Sequence, residues 1–317
     1  MNIPVFDLHC DTALELLGRE DRPERSLRRN DGHIDLERAG KLAGYCQCFA
    51  CFTTPYMQEW MQRSPETVFE HEINILRKSL SENADIVAQA FTASDVEENL
   101  KNGMMSAVLT IEGPAGFGFD PEKLEELYKM GFRITSLGWN EKNPLAGSNV
   151  TGGGLTDLGR QYIKEAQRLG MIVDVSHISD EAFWDIMDVT QAPIVATHSN
   201  SRFICEHSRN LTDEMFRAIC RTGGVVGFNQ YDEFVGKNAD INTACDHILH
   251  FMELNPDGTH IALGGDLDGC DSLPAGFTGV ESYPTFAEQL IARGLSEKNL
   301  HDIYWNNALG VMKRCCI

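Results

Sequence analysis

Basic residues are scarce in this 317-residue chain: 27 Lys and Arg stand against 47 Asp and Glu, a formal charge of −20 at pH 7. A surface of that sign repels phosphate backbones and anionic lipid headgroups, so neither nucleic acid nor membrane is an expected partner. No apolar run approaches the roughly 18 residues needed to cross a bilayer. The opening Met1-Asn-Ile-Pro-Val-Phe-Asp7 has neither the basic nor the apolar stretch of a secretory signal. Low-complexity tracts and internal repeats are also missing. Ten cysteines are present, but without secretory context they read as reduced thiols, and the expected compartment is the cytoplasm. Cys46-x-Cys48-x-x-Cys51 lacks a second pair at zinc-finger spacing and is read as packed side chains; Cys315 and Cys316 are read as an exposed tail.

What is present is ample core material. Hydrophobic residues make up 42% and charged residues 23%, enough to bury a large interior without disorder. Eight short apolar runs recur, each followed by a stretch of helical periodicity: 5–9, 45–52, 106–111, 132–137, 171–176, 194–197, 224–229 and 261–265. Runs without polar alternation are the pattern of strands buried on both faces of a parallel sheet. Thr156, Ser179 and Thr212 stand where helix N-caps are needed. Eight β/α units predict an α/β fold, a (β/α)₈ TIM barrel, as one domain over 1–317. Residues 55–82 are a helical insertion after strand two, lying over the mouth or against the side; 300–317 form a C-terminal helix and tail. The Gly-rich stretch 147–154 reads as a mobile loop.

In such a barrel the chemistry sits at the C-terminal ends of strands. Run one ends in His9-Cys10-Asp11, run three in Glu112, run five in His177, run six in His198 and run eight in Asp266. Alternation places His9 and Asp11 on one face, with Cys10 turned away. Each residue alone has a plainer reading: a chance His-x-Asp, a hydrogen-bonded core histidine, a capping aspartate. Their recurrence at the same point of successive units favours a metal centre, because a carboxylate buried behind Val108-Leu-Thr-Ile111 is costly without a cation. Nitrogen and oxygen donors without thiolates suit two divalent ions, Zn²⁺ first and Mn²⁺ as an alternative, in an open and therefore catalytic site. His247 and His250, three apart on one helix, are read as packing or capping residues.

These motifs together resemble the membrane dipeptidase (renal dipeptidase) family of amidohydrolase-like metallopeptidases. The resemblance runs through Asp7-Leu-His-Cys-Asp-Thr12, Ile111-Glu-Gly113, Leu155-Thr-Asp-Leu-Gly159, Asp174-Val-Ser-His-Ile-Ser179, Thr197-His-Ser199, His207-Ser-Arg-Asn-Leu-Thr-Asp213, Gly264-Gly-Asp-Leu-Asp-Gly269 and Asn307-Ala-Leu309. It implies His9 and Asp11 on one metal, Glu112 bridging, and His177 with His198 on the other. It further implies Arg209 on the substrate's C-terminal carboxylate and Asp266 on its amine and on a proton. Where the family carries a substrate-contacting histidine after strand four, this chain reads Ser136-Leu-Gly-Trp-Asn140, so Trp139 becomes a substrate wall or a packing residue, and Asn140 a candidate for the oxyanion.

The function so implied is metal-dependent hydrolysis of small dipeptides by a hydroxide shared between two metals. The alternatives are hydrolysis of another small amide, lactone or lactam, and a catalytically silent metal-containing binding protein. A homodimer is implied by the resemblance alone.

Overall fold

The computed structural model describes residues 3–18 and 23–316. Positions 1–2, 19–22 and 317, which include both ends of the expected domain, lie outside the described residues. In chain order the strands are β1 (Val5–Cys10), β2 (Tyr45–Phe52), β3 (Val87–Gln89), β4 (Met105–Glu112), β5 (Phe132–Ser136), β6 (Ala146–Ser148), β7 (Gly152–Leu155), β8 (Ile172–Asp174), β9 (Ile194–Val195), β10 (Val226–Phe228) and β11 (Ile261–Leu263). All eight apolar runs contribute a parallel strand, in the sheet order β10-β11-β1-β2-β4-β5-β8-β9. A parallel bridge between Ala196 and Val226 joins the two ends, with Gly227 N donating to Ala196 O at 2.8 Å. The chain is therefore a (β/α)₈ barrel.

One apolar cluster draws on all eight barrel strands or their immediate flanks, through Phe6, Leu8, Cys46, Cys48, Val108, Ile134, Ile172, Val195, Val225 and Ala262. The larger cluster takes alternate residues of the same strands together with the apolar faces of the surrounding helices, so the smaller one is the filling of the lumen. Trp305, Met312, Cys315 and Cys316 belong to the same cluster. The reading of Cys315 and Cys316 as an exposed tail is thus corrected: both thiols are buried, because the C-terminal helix Asn307–Cys315 seals the end of the lumen away from the strand C-termini. Cys46, Cys48 and Cys51 are buried and free, and no cysteine among the described residues forms a disulfide.

Two further expectations change. The stretch read as a mobile loop is an antiparallel ribbon of β6 and β7. Gly147 lies so close to the opposing strand that an added Cβ would meet Gly152 O at 2.1 Å, so its glycines serve close approach rather than freedom. Strand β3, too short to announce itself, pairs with the first half of β4, while β5 takes the second half of the same edge.

The insertion does both things considered for it. Helix Pro65–Glu82, capped by Ser64, packs on the side of the barrel, where Phe69 stacks on Phe132 at 5.9 Å. The short helix Met57–Met61 carries Trp60 to the mouth, 5.4 Å from Trp139. The three N-caps form as read: Thr156, Ser179 and Thr212 accept from the amides of Gly159, Ala182 and Met215.

Glu72 of the long inserted helix is fully buried; one oxygen accepts from Phe52 N at 3.2 Å and the other, Oε2, has no hydrogen-bond partner. Burial pushes its pKa well above the carboxylate range. Because the folded value lies above the unfolded one, its contribution to stability is full in acid and is lost as pH rises through the folded value. The melting temperature of Glu72→Gln should therefore gain on wild type between pH 4 and pH 8, and a gap independent of pH would contradict this.

The seam that closes the ring is built on glycine. A Cβ on Gly264 would fall 1.6 Å from Thr197 O, and one on Gly227 2.0 Å from the same oxygen. Both obstacles are backbone, so β9 itself must move. Gly264→Ala should cost at least about 1–3 kcal/mol, read as a lower denaturant midpoint at unchanged slope; a wild-type midpoint would refute the packing described.

Candidate metal centre and active site

Five side chains named from strand ends meet at the C-terminal mouth. His9 comes from β1 and Asp11 follows it, Glu112 ends β4, and His177 and His198 come from the turns after β8 and β9. The carboxylate of Glu112 divides between two sets of donors. Its Oε2 lies 3.3 Å from His9 Nε2, which is 3.5 Å from Asp11 Oδ2. Its Oε1 lies 2.9 Å from His177 Nε2 and 3.7 Å from His198 Nε2. The rings of His9 and His198 stack at 3.8 Å, which brings the two sets together. Donor atoms of His9, Glu112 and His198, and those of His9, Asp11 and Asp266, each fall within 4.8 Å of one another. Asp266 thus stands closer to the ligand cluster than a capping role after β11 requires. An irregularity in the pairing of β1 with β2 lies between Asp7 and Cys10, and it lets His9 reach the mouth although Leu8 beside it fills the lumen.

Hydrogen bonds hold the outer nitrogens of two of the histidines. His177 Nδ1 is 2.9 Å from the side-chain oxygen of Asn140, and His198 Nδ1 is 2.7 Å from Thr197 Oγ1. With Nδ1–H donating in each ring, both Nε2 lone pairs point at the same space, 3.0 Å apart. His9 Nε2 and Asp11 Oδ1 are buried with no hydrogen-bond partner. Buried nitrogen and oxygen donors that converge, some without a hydrogen-bond partner, are what a divalent cation satisfies, so the residues present fit one.

The electrostatics agree. Burial, and then Asp11, push Glu112 up to about 8, with His9 opposing. Burial likewise raises Asp266 to about 6, against the pull of His9. Burial lowers His9, but the Glu112 and Asp11 carboxylates outweigh it and hold the ring well above its usual range. His177 and His198 are held well below theirs, by burial first and by neighbouring positive groups second. Carboxylates this crowded call for a counter-charge. The backbone is strained at the same place: His177 and Asp266 both have left-handed φ, 68° and 56°, a conformation that L residues adopt at a cost and that clusters at functional sites. Gly269 leaves the space that Asp11 and Asp266 occupy, since a Cβ there would meet Asp11 Oδ2 at 2.0 Å and Asp266 Oδ1 at 2.5 Å.

The mouth opens into a cleft of about 530 Å³ lined by Phe52, Trp139, Asn140, Tyr231, Phe234 and the carboxylates of the centre. Trp139 packs edge-on against both Phe52 and Trp60, at 5.4 Å each, so an aromatic wall borders this donor set. The side-chain oxygen of Asn140 is taken by His177, which leaves only its amide nitrogen for a substrate. Arg209 is buried behind His198 rather than lining the cleft. It donates to Ser199 Oγ at 3.2 Å and His198 O at 3.3 Å, over Phe234, and its Nε is unpartnered. Burial lowers its pKa, with Asp266 and Glu112 opposing. Sequence reading passed over Asn229, which holds Asp266 Oδ2 at 2.9 Å; the signal was available, because Asn229 ends the seventh apolar run as the ligands end theirs. His247 and His250 lie away from the mouth, bonded to Val235 O and Asp213.

A (β/α)₈ barrel with this donor set at the ends of its strands defines the class, a metal-dependent hydrolase. Comparison with known proteins makes it particular. The sequence profile of the membrane dipeptidase family, peptidase family M19, matches residues 1–315. An uncharacterised dipeptidase of Schizosaccharomyces pombe is 37% identical, over 98% of this chain and 81% of its own length. A dipeptidase structure of family M19 superposes with a TM-score of 0.87 at 25% identity, covering 99% of both chains. A metallopeptidase of Rhodobacter sphaeroides, solved with a phosphinate mimic of L-Ala-D-Ala, also gives 0.87, at 24% identity, over 99% of this chain and 100% of that one. The chain belongs to the membrane dipeptidase family and is a metal-dependent dipeptidase. Among the described residues no helix is long and apolar enough to cross a membrane.

If the donors hold cations, Zn²⁺ or Mn²⁺ should stabilise chelator-stripped protein in a saturable way, by about 2.7 kcal/mol at a hundredfold excess over Kd, read as a higher melting temperature. Glu112→Ala should lose most of that gain. An equal gain in the variant would show that Glu112 is not a ligand.

Proposed function

We propose that the centre holds two divalent ions, with His9 and Asp11 on one, His177 and His198 on the other, and Glu112 between them. The observation that carries this reading is the split carboxylate: Oε2 faces His9 and Oε1 faces His177. The donor set suits Zn²⁺ first and Mn²⁺ second. Bound there, such ions lower the pKa of a shared water and polarise the scissile carbonyl.

The remaining work falls to the chain's own groups. Asp266, held by Asn229 beside the donors of the centre, is assigned the substrate's own ammonium group and the transfer of a proton towards the leaving amine. Arg209, buried behind His198 with its Nε unpartnered, is assigned to the substrate's C-terminal carboxylate on the family likeness, a task that suits its planar fork. Trp139 supplies a wall and one indole donor where the family has a histidine. It cannot carry positive charge, so neutral donors, the indole N–H and the amide nitrogen of Asn140, are what the side chains on that side offer the oxyanion. The aromatic wall and the size of the cleft suit a small dipeptide, the class of ligand whose mimic the Rhodobacter sphaeroides structure holds. A reducing compartment, the cytoplasm, fits ten free thiols; a homodimer rests on family likeness alone.

Protein loaded with Zn²⁺ or Mn²⁺ should cleave some of a panel of L,L- and L,D-dipeptides and spare the same dipeptides amidated at the C-terminus. Turnover of lactones or lactams but of no dipeptide would favour the other hydrolase, and full metal occupancy without turnover a binding protein. Arg209→Met should lower kcat/KM by roughly 30- to 150-fold, the loss of about 2–3 kcal/mol of charged hydrogen bonding; equal cleavage of free and amidated dipeptides by wild type would remove Arg209 from this role.

A further inference from the structure

Asp174, three residues before His177, touches no donor of the metal centre directly, yet its buried carboxylate is fully committed. Oδ1 accepts from Ser176 N and from Thr197 N, both at 2.9 Å, and Oδ2 accepts from Thr197 Oγ1 at 2.6 Å. The first bond lies in the turn leading from β8 to His177, and the other two lie at the end of β9, next to His198. One carboxylate thus ties together the strand ends that carry both histidines of one proposed ion.

The hydroxyl of Thr197 has one proton, and a carboxylate has none to give, so that proton is directed at Asp174. Thr197 Oγ1 is then an acceptor towards His198 Nδ1, 2.7 Å away. That forces the proton of His198 onto Nδ1 and leaves Nε2 bare, facing His177 and Glu112. Ser176 Oγ accepts from His198 N at 3.3 Å and holds the backbone of the same residue. Asn140 does the equivalent service for His177 from a loop at the mouth, whereas Thr197 and Asp174 are buried and beyond reach of substrate. Outer groups of this kind orient metal-binding imidazoles and raise their affinity for metal by about 10- to 100-fold.

We propose that Asp174 and Thr197 form a buried positioning relay that selects the tautomer and fixes the ring of His198 for a divalent ion. The inference rests on the two-ion reading above and adds to it two residues outside the ion-binding set. Its test uses the full chain with Thr197→Val, which keeps the shape but removes the acceptor, and Thr197→Ser, which restores the hydroxyl. Titration of stripped protein with Zn²⁺ against a chromophoric chelator should give two equivalents for wild type. The valine variant should hold one of them about 10- to 100-fold more weakly, and the serine variant should stay within about threefold of wild type. Nitrogen-15 spectra of stripped wild type should show His198 protonated on Nδ1. Wild-type affinity in the valine variant, equal weakness in the serine variant, or a His198 protonated on Nε2 would each overturn the relay. Failure of wild type to bind two equivalents would instead sink the two-ion reading, and the tautomer would still judge the relay.

Discussion

The buried carboxylate of Glu112 is the constraint around which the mouth of this barrel is organised. It ends β4, a strand buried along its whole length, and it faces Asp11 and Asp266 in an environment that resists negative charge. Positive charge at that point relieves several costs at once. It would satisfy the unpartnered Nε2 of His9 and Oδ1 of Asp11, allow the carboxylates to ionise together, and give the neutral rings of His177 and His198 something to bind. The left-handed backbone at His177 and Asp266 is tolerated because the barrel holds the strand ends rigidly on either side.

The same scaffold separates chemistry from selection. Donors sit on or next to strands, which cannot move without opening the sheet. The cleft wall comes from segments between them: Trp60 from the insertion after β2, Trp139 from the loop after β5, and Phe234 beyond β10. A dipeptidase built this way can alter its substrate by exchanging wall residues such as Trp139 while the donor set stays as it is.

Much was legible in advance, and for identifiable reasons. Parallel strands buried on both faces must be continuous apolar runs, so all eight announced themselves, and a barrel puts its chemistry where such runs stop. Strand β3 escaped because three residues carry no periodicity, and the β6–β7 ribbon because glycines needed for close approach look like glycines needed for freedom. Cys315 and Cys316 were misplaced since nothing local says that a chain end plugs a lumen. Asn229 could have been found by the same strand-end reasoning; the side on which Arg209 lies could not.

By itself, then, the sequence determined the number and kind of elements and the residues standing at their ends, because periodicity and solvation act over a few neighbouring positions. Only the tertiary structure decided the rest: that Glu112 turns one oxygen to each set of donors, that Asn140 and Thr197 choose the protons of His177 and His198, and that Arg209 stands behind His198. Most of those are relations between residues on different strands or loops that lie within about 4 Å of each other in space, set by the register and closure of the barrel, on which hydrogen-bond geometry depends.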